Sequence, residues 1–272
     1  MIKEKIDISK QYANLYKSVI KASDIDMQKL PKYKIPDRAS IDKVPTLNKY
    51  GFMKLNLSDF HHEFAKYAAQ TDNTVLEIGA AYGLSVHNVL RKGGKIIAND
   101  LSKEHLTILL QNAPKEHLNN LSILYGSFPN ETDFPDNSLG AVLTSLVMHF
   151  LQPEDIQRAL KKIHKWLIPE GKFFFTAGSA YYKSLREKFT PIYEKRLKIG
   201  TPWPGKVENF KEIEFENAAY LPDFFYAFSI PELKKLLPEN GFEIEIIKYF
   251  DYPNSEINSD GKGCVGFIAR KI

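Results

Sequence analysis

The residues best placed to bind a cofactor lie in and after a tight turn near the start of the central third of the chain. Gly79, Ala81 and Gly83 give this turn a run of small side chains after a short apolar segment. Small side chains let the backbone approach a ligand closely, and the start of the following helix offers free N–H groups. Asp100 ends the next apolar segment, where a carboxylate can accept hydrogen bonds from both hydroxyls of a ribose. The spacing therefore predicts a site for a nucleoside-containing cofactor.

A nicotinamide dehydrogenase is an alternative for this turn. Its fingerprint is Gly-x-Gly-x-x-Gly, in which the glycines serve the tight turn, the approach of the pyrophosphate and the packing of the helix against the sheet. The chain has Ala81 and Leu84 where the second and third glycines should stand. The pattern therefore does not favour a dinucleotide.

The elements that must position these residues alternate along the chain. Apolar strand-like segments are expected at residues 75–78, 95–100, 121–125, 139–144 and 172–176, with amphipathic helices between them. Two more strands, near 242–250 and 263–270, are joined by a polar turn. This order predicts an α/β fold with a doubly wound, seven-stranded, mostly parallel sheet that ends in an antiparallel hairpin strand. Ligands bind such sheets at the carboxyl ends of the strands, where the turn and Asp100 both fall.

Two segments lie outside this alternation. Residues 1–56 are rich in lysine and proline and are expected to form an N-terminal arm or cap, with a short helix near residues 10–21. Residues 178–228 are rich in aromatic side chains and follow the fifth strand, so they emerge at the ligand-binding edge of the sheet. We expect residues 57–272 to form the main domain and 178–228 to form an inserted lid. A role for these aromatics in the core alone is the alternative.

Five stretches of the sequence, at residues 77–83, 126–128, 134–142, 144–150 and 167–172, resemble a known family. The turn Glu77-Ile78-Gly79-Ala80-Ala81-Tyr82-Gly83 is similar to the acidic-x-Gly-x-Gly-x-Gly loop of class I (Rossmann-like) S-adenosylmethionine-dependent methyltransferases. Residues 134–142 resemble the family's Phe-Pro-Asp-Asn-Ser-Phe-Asp-x-Val, and residues 167–172 resemble its Leu-x-Pro-Gly-Gly. The resemblance is to the small-molecule branch, which includes the ubiquinone/menaquinone-biosynthesis type. It covers residues 57–177 well and the terminal strands loosely.

The resemblance implies that S-adenosylmethionine is the cofactor and that residues 57–272 are a methyltransferase domain. Glu77 and the small-residue turn would hold the methionine end of the cofactor, Asp100 the ribose, and Leu101 would lie against adenine. The segment after the third strand and the end of the fourth strand would complete the site. The cofactor-binding residues implied in this way are Glu77, Gly79, Ala81, Gly83, Asp100, Leu101, Ser127, Phe128 and Ser145.

The sequence departs from the family pattern at three positions. Ala81 replaces the middle glycine, Ser127 replaces the aspartate that takes the adenine amino group, and Gly140 replaces the second aspartate of its motif. Because of these departures, a different class of function is an alternative. In it, the chain is a binding protein on a catalytically decayed methyltransferase fold.

The methyl acceptor is expected to be a small molecule, with O- or N-methylation favoured over C-methylation. DNA amino-methylating enzymes carry Asp/Asn-Pro-Pro-aromatic at the end of the fourth strand, where this chain has residues 144–147, Thr-Ser-Leu-Val. Cys264 lies far from the place of a cytosine-C5 nucleophile. A protein or peptide acceptor remains an alternative. His149, just past the fourth strand, is a candidate general base for a hydroxyl or phenol acceptor, and a packing role is its alternative.

Composition limits the other classes of function. The net charge is only +4 and the basicity comes mostly from scattered lysines, so no nucleic-acid partner is expected. One cysteine excludes an intrachain disulfide, and the pair His61-His62 lacks a third ligand, so no metal site is expected. The first residues have no apolar signal core and no run of about 18 apolar residues occurs. A cytoplasmic protein without a membrane span is the expectation.

Overall fold

The computed structural model describes residues 5–7, 17–255 and 259–272. Twelve strands and seven α-helices are found in these residues, together with several short 3-10 helices. The strands are β1 (Val19–Lys21), β2 (Lys43–Pro45), β3 (Phe52–Lys54), β4 (Val75–Ile78), β5 (Ile96–Asp100), β6 (Leu121–Tyr125), β7 (Leu139–Ser145), β8 (Leu167–Gly178), β9 (Lys206–Val207), β10 (Phe225–Tyr226), β11 (Phe242–Phe250) and β12 (Cys264–Lys271). The helices are α1 (Asp59–Gln70), α2 (Leu84–Arg91), α3 (Lys103–Asn112), α4 (Pro153–Trp166), α5 (Thr190–Lys198), α6 (Phe210–Ile213) and α7 (Ile230–Glu239).

The main sheet has eight strands in the order β1-β6-β5-β4-β7-β8-β12-β11. The five strands from β6 to β8 run parallel, and β12 and β11 add the antiparallel hairpin. The predicted seven-stranded, mostly parallel sheet with a terminal hairpin is therefore confirmed. The eighth strand, β1, comes from the N-terminal arm and pairs antiparallel with β6.

The central strands are buried on both faces because helices cover the sheet from both sides. Every residue of β4 and β5 is buried, as expected for parallel strands that lie under helices. The strand order reverses at β4, whose neighbours β5 and β7 follow it in opposite directions along the sheet. Loops that leave β4, β5 and β7 at this reversal diverge, and the crevice between them is where open α/β sheets bind ligands.

Most of the helix starts follow the capping residues of the sequence. Ser58 forms a capping box with His61 at the start of α1, and the Ser102 hydroxyl accepts the backbone N–H of His105 at the start of α3. Pro153 begins α4 at a position where a missing N–H costs nothing. These caps fix the helix starts at the ligand-binding edge of the sheet.

The N-terminal arm is more closely joined to the sheet than the sequence indicated. The predicted helix near residues 10–21 is wrong for residues 19–21, which form β1, and residues 10–16 lie outside the described residues. The β-branched pair Val19 and Ile20 suits an edge strand, and the pairing covers an otherwise open edge at β6. Further along, β2 and β3 form a small hairpin.

The segment 178–228 packs around an apolar cluster of its own. It contains α5, β9, α6 and β10, and β9 pairs with β10 away from the main sheet. The buried side chains of this cluster are Ala180, Leu185, Phe189, Tyr193, Val207, Phe210, Phe225 and Ala227. Part of its aromatic content is thus a local core. Within the described residues, no helix is long and apolar enough to cross a membrane.

Candidate active site

The small-residue turn between β4 and α2 adopts left-handed backbone angles. The φ angles of Gly79, Ala81 and Gly83 are 71°, 45° and 89°. A Cβ atom at Gly79 would lie 2.3 Å from Cγ2 of Val147, and one at Gly83 would lie 2.6 Å from Cγ of Leu109. The two glycines are therefore required by backbone conformation and by contacts within the protein. Ala81 is a residue with a side chain at a position that favours glycine.

Asp100 holds this turn against the end of β5. Its Oδ2 accepts the backbone N–H of Ala81 at 2.9 Å, and its Oδ1 accepts the backbone N–H of Ser102 at 2.8 Å. The Nδ1 of His105 lies 3.1 Å from the same Oδ1. An ionised carboxylate offers about four acceptor positions. These contacts take most of them and leave room for about one more donor.

His105 links Asp100 to the N-terminal arm. Its Nε2 accepts the backbone N–H of Leu47 at 3.0 Å, so its Nδ1 carries the proton that faces Asp100. Nearby, the hydroxyl of Tyr82 donates to the carbonyl of Pro45 at 2.8 Å. The arm is thus tied to the small-residue turn and to the carboxylate behind it.

Glu77 brings an unpaired acceptor to the same edge of the sheet. Its side chain is buried, and among the described residues its Oε2 has no hydrogen-bond partner. Burial raises the pKa of Glu77 to about 8, with the nearby Ser85 hydroxyl opposing the shift and the Asp100 charge adding to it. A cationic group beside Oε2 would satisfy the oxygen and favour the ionised form.

A first cavity of about 310 Å³ lies where these groups meet. Gly83 is not in its wall and serves the turn instead, whereas Leu101 is 45% exposed although it is apolar. The predicted cofactor-binding residues that line the cavity are Glu77, Gly79, Ala81, Asp100, Leu101, Ser127, Phe128 and Ser145. The structure thus brings together all but one of the nine residues implied by the sequence.

Ser127 and Phe128 are placed by contacts that the sequence did not indicate. The backbone N–H of Ser127 donates to Glu131 at 3.0 Å, so that this amide is already used within the protein. Phe128 is buried, and its ring centroid lies 6.3 Å from that of Trp166. Phe128 therefore serves the core as well as the wall of the cavity.

A group of hydroxyls that sequence reasoning missed lies at the end of β7. The hydroxyl of Tyr252 is 3.2 Å from Oγ of Ser145 and 3.1 Å from Oγ1 of Thr176, and these two are 2.9 Å apart. Tyr252 also bonds with Ser58, whose Oγ lies 2.8 Å from Nδ1 of His61. Burial raises the pKa of Tyr252 above its usual range and lowers the pKa of His61 to about 4.

A second cavity, of about 120 Å³, adjoins the first. The two cavities share the wall residues Phe52, Lys54, Leu146, Phe150 and Tyr252. The rest of the second cavity is enclosed by the N-terminal arm, by the segment 178–228 and by the hairpin of β11 and β12. It is therefore bounded by all three parts of the chain that surround the parallel sheet.

His149 lies in the wall of the second cavity rather than the first. Its Nδ1 accepts the backbone N–H of Gly178 at 3.0 Å, and its ring also hydrogen-bonds to the backbone of Leu146. Burial lowers the pKa of His149 to about 3. Because both contacts are to backbone and the ring is buried, this geometry favours the packing role over that of a general base.

Metal chemistry finds no support in these cavities. Across residues 5–7, 17–255 and 259–272, no group of three or more histidine, cysteine, aspartate or glutamate side chains is arranged to hold a metal ion. The lone cysteine, Cys264, is buried, and burial raises its pKa to about 12.

Comparison with known proteins identifies a related domain. Residues 76–175 match a family model described as a methyltransferase domain. A curated relative, phosphoethanolamine N-methyltransferase 3 of Arabidopsis thaliana, is 24% identical over 132 residues, which are 47% of this chain and 26% of the relative. The chain thus matches about a quarter of the length of that relative.

Solved structures show the same fold. A SAM-dependent methyltransferase from Methanosarcina mazei is 18% identical, with a TM-score of 0.57 over 80% of this chain and 99% of that one. An S-adenosylmethionine-dependent methyltransferase from Mesorhizobium loti is 16% identical, with a TM-score of 0.52 over 73% of this chain and 90% of that one. At sequence identities of 16–18%, this structural similarity establishes the fold alone.

The sheet order is that of the methyltransferase fold, and residues 76–175 match a methyltransferase domain. S-adenosylmethionine, which the sequence predicts as the cofactor, is bound by one solved neighbour, a glycopeptide N-methyltransferase. The residues present fit that cofactor, because the first cavity combines an unpaired buried carboxylate oxygen with a turn that exposes backbone near it.

Proposed function

We propose that this protein transfers a methyl group from S-adenosylmethionine to a small molecule bound in the second cavity. The observation that carries the proposal is the pair of adjoining cavities, which meet at Leu146, Phe150 and Tyr252. Methyl transfer is an in-line displacement, so the acceptor must reach the methyl group from the side opposite sulfur. Two cavities that meet at one wall provide this arrangement.

The first cavity would hold the cofactor through three contacts. Oε2 of Glu77 would accept from the ammonium of the methionine end, Asp100 would use its remaining acceptor position for a ribose hydroxyl, and Leu101 would lie against adenine. S-adenosylmethionine supplies an activated methyl group on a positively charged sulfur. The remaining predicted contacts, at Gly79, Ala81, Ser127, Phe128 and Ser145, follow from their places in the same wall.

The chain's own residues would align the reacting groups and keep water out. Tyr252 is held by Ser145 and Thr176, so the wall between the two cavities is fixed by a hydrogen-bonded cluster. Aromatic side chains on the acceptor side, including Phe52 and Phe150, exclude water from the place of transfer. His149 would position the loop after β7 through its bond to Gly178.

We further propose that the arm and the segment 178–228 act as a lid over the acceptor. Both line the second cavity, and they touch each other there. The backbone N–H of Gly51 donates to the carbonyl of Tyr220 at 2.7 Å, and the ring centroids of Phe52 and Tyr220 are 5.6 Å apart. An acceptor enclosed by these contacts has to be small, which favours a small molecule over a protein or peptide.

A cofactor-bound crystal structure tests this proposal. Crystals grown with S-adenosylhomocysteine should show its amino group beside Glu77, its ribose beside Asp100 and its sulfur facing the shared wall of the two cavities. Density in another place, or a sulfur that faces away from the second cavity, would contradict the proposal. A protein that binds no S-adenosylhomocysteine would support the decayed-fold alternative instead.

A further inference from the structure

We propose that the acceptor is a small amine, bound as a cation between aromatic rings and two carboxylates, buried Glu214 and half-buried Asp251, in the second cavity. This inference rests on the proposed function, because it names the acceptor class of that same cavity. It follows from the charges and rings of the cavity wall.

Glu214 is the first of two carboxylates in this wall. It is buried, and its oxygens accept from the hydroxyl of Ser184 and, at 3.1 Å, from the side-chain amide of Asn217. Both donors are neutral. Among the described residues, Glu214 has no lysine or arginine as an ion-pair partner, so its charge is left without a counter-charge inside the protein.

Asp251 is the second carboxylate, and its partners are neutral as well. It accepts the backbone N–H groups of Ser259, Gly261 and Gly263 at 3.0, 3.0 and 2.8 Å. These bonds fix the hairpin turn beside the cavity and leave the formal charge of the carboxylate in its wall. The charges of Glu214 and Asp251 both raise the pKa of Tyr182, behind the larger effect of burial.

The cationic groups of the wall do not cancel these two charges. Nζ of Lys54 pairs with Asp42 at 2.6 Å, so this lysine is already neutralised. Nζ of Lys43 lies 4.5 Å from the ring centroid of Phe52. Burial lowers the pKa of His149 to about 3, so it carries no charge near neutral pH. Two carboxylates therefore face one lysine, and a cationic ligand would restore the balance.

The rings of the wall suit the same ligand. Phe210 and Phe225 stack with ring centroids 4.4 Å apart, and Phe150 lies edge-on to Phe225 at 6.3 Å. Aromatic faces attract ammonium groups, more strongly where water is excluded. The cavity of about 120 Å³ is close in size to an engineered cavity of roughly 150 Å³ that binds benzene. The second cavity therefore accommodates a single ring or an aliphatic group of similar size.

The reaction with such an acceptor balances without a further reactant. The amine enters as an ammonium ion and loses one proton to water. Its nitrogen lone pair then forms the new N–C bond, the S–C bond breaks with its electron pair on sulfur, and the product carries the positive charge on nitrogen. The carboxylates hold a cation before and after transfer, and the rings shield it from water.

Three probes with one ring test the assignment, each titrated into protein saturated with S-adenosylhomocysteine near pH 7. Benzylamine is cationic, benzyl alcohol is neutral and benzoate is anionic. We expect benzylamine to bind about tenfold tighter than benzyl alcohol, which is about 1.4 kcal/mol, and benzoate to bind most weakly. Equal or tighter binding of benzyl alcohol or benzoate would overturn the inference. Failure of all three probes to bind would also overturn it.

The variant Glu214→Gln tests the same inference by changing the protein instead of the ligand. It should weaken benzylamine binding about tenfold and leave benzyl alcohol unchanged, because only the charge is removed. Glu212→Gln, an exposed position of the same segment, is the matched control and should change neither. If Glu214→Gln keeps the preference for the amine, the carboxylate assignment is wrong. Binding of S-adenosylhomocysteine, measured first, separates failure of this inference from failure of the proposed function.

Discussion

The backbone amide of Ala81 donates a hydrogen bond to Oδ2 of Asp100 across 2.9 Å. Through this bond, the turn that leaves one parallel strand is fixed to the end of the next strand. Asp100 thus has two tasks, since it shapes the turn and also faces the first cavity. Removal of the Asp100 carboxylate should therefore weaken cofactor binding and lower the stability of the fold.

The first prediction concerns Asp100→Ala. Removal of hydrogen bonds to a charged group costs about 1–3 kcal/mol, so the affinity for S-adenosylhomocysteine should fall by roughly 5- to 150-fold. The melting temperature should fall as well, because Ala81, Ser102 and His105 lose their acceptor. Calorimetric titration and thermal unfolding measure the two effects. Asp72→Ala, exposed just after α1, is the control. Undiminished affinity in Asp100→Ala would remove the ribose assignment.

The second prediction concerns proton release at Glu77. In the free protein burial raises the pKa of Glu77 to about 8, so the group is mostly protonated at neutral pH. The ligand's ammonium favours the ionised form, which lowers this pKa on binding. The bound state then holds fewer protons than the free state, and affinity should rise as the pH approaches 8 from below.

Calorimetry in two buffers of different ionisation enthalpy measures this release directly. Wild type should release up to about one proton per S-adenosylhomocysteine near pH 7. Glu77→Gln should release none and bind more weakly, whereas Glu63→Gln, on the exposed face of α1, should behave as wild type. Equal proton release by wild type and Glu77→Gln would show that another group receives the ammonium.

The local part of the site could be predicted from the sequence because its residues are close together in the chain. The small-residue turn and Asp100 are separated by one helix and one strand, and regular α/β geometry places both at one edge of the sheet. Tyr252 could not be found in this way. It reaches Ser145 across 107 residues of sequence, and nothing in its neighbourhood distinguishes it from other tyrosines.

The elements of the fold also differ in how well the sequence predicts them. The parallel strands and the terminal hairpin followed from apolar periodicity, whereas β1 did not, because three residues give too short a pattern to separate strand from helix. The contact of Leu47 with His105 depends on how the arm folds over the sheet. Such contacts are set by tertiary packing, which a single sequence does not reveal.

The third prediction concerns His149, whose role as general base or packing residue the sequence left open. Burial lowers its pKa to about 3, below the unfolded value of about 6.5. The folded state therefore binds fewer protons than the unfolded state between these values. His149 stabilises the fold above about pH 6.5, and this contribution is lost progressively as the pH falls toward 3.

Chemical denaturation at several pH values tests the assignment. The free energy of unfolding of wild type should fall on acidification below about pH 6.5, and His149→Gln should show a shallower fall. His117→Gln, outside both cavities, is the control and should keep the wild-type slope. A packing role also predicts a rate of methyl transfer that does not follow a histidine titration. A rate that falls with such a titration, and that His149→Gln abolishes, would establish the general base.

The fourth prediction concerns the proposed lid. Residues 43–54 and 210–225 meet over the second cavity, so their amide hydrogens should exchange more slowly when S-adenosylhomocysteine and benzylamine are both bound. Helix α4 contributes only Asp155 to the first cavity wall and should not change. Mass spectrometry of the exchanged protein measures both. If the two segments exchange as slowly as β4 without any ligand, they are core and the lid proposal fails.

The central claim is that the first cavity binds S-adenosylmethionine, and calorimetric titration of the wild-type protein tests it most directly. We predict one binding site for S-adenosylmethionine and for S-adenosylhomocysteine, with a dissociation constant in the micromolar range, about −8 kcal/mol. Glu77→Gln and Asp100→Ala should each weaken it. Folded wild-type protein that gives no binding heat with either ligand up to about 1 mM, a free energy no stronger than about −4 kcal/mol, would contradict the account.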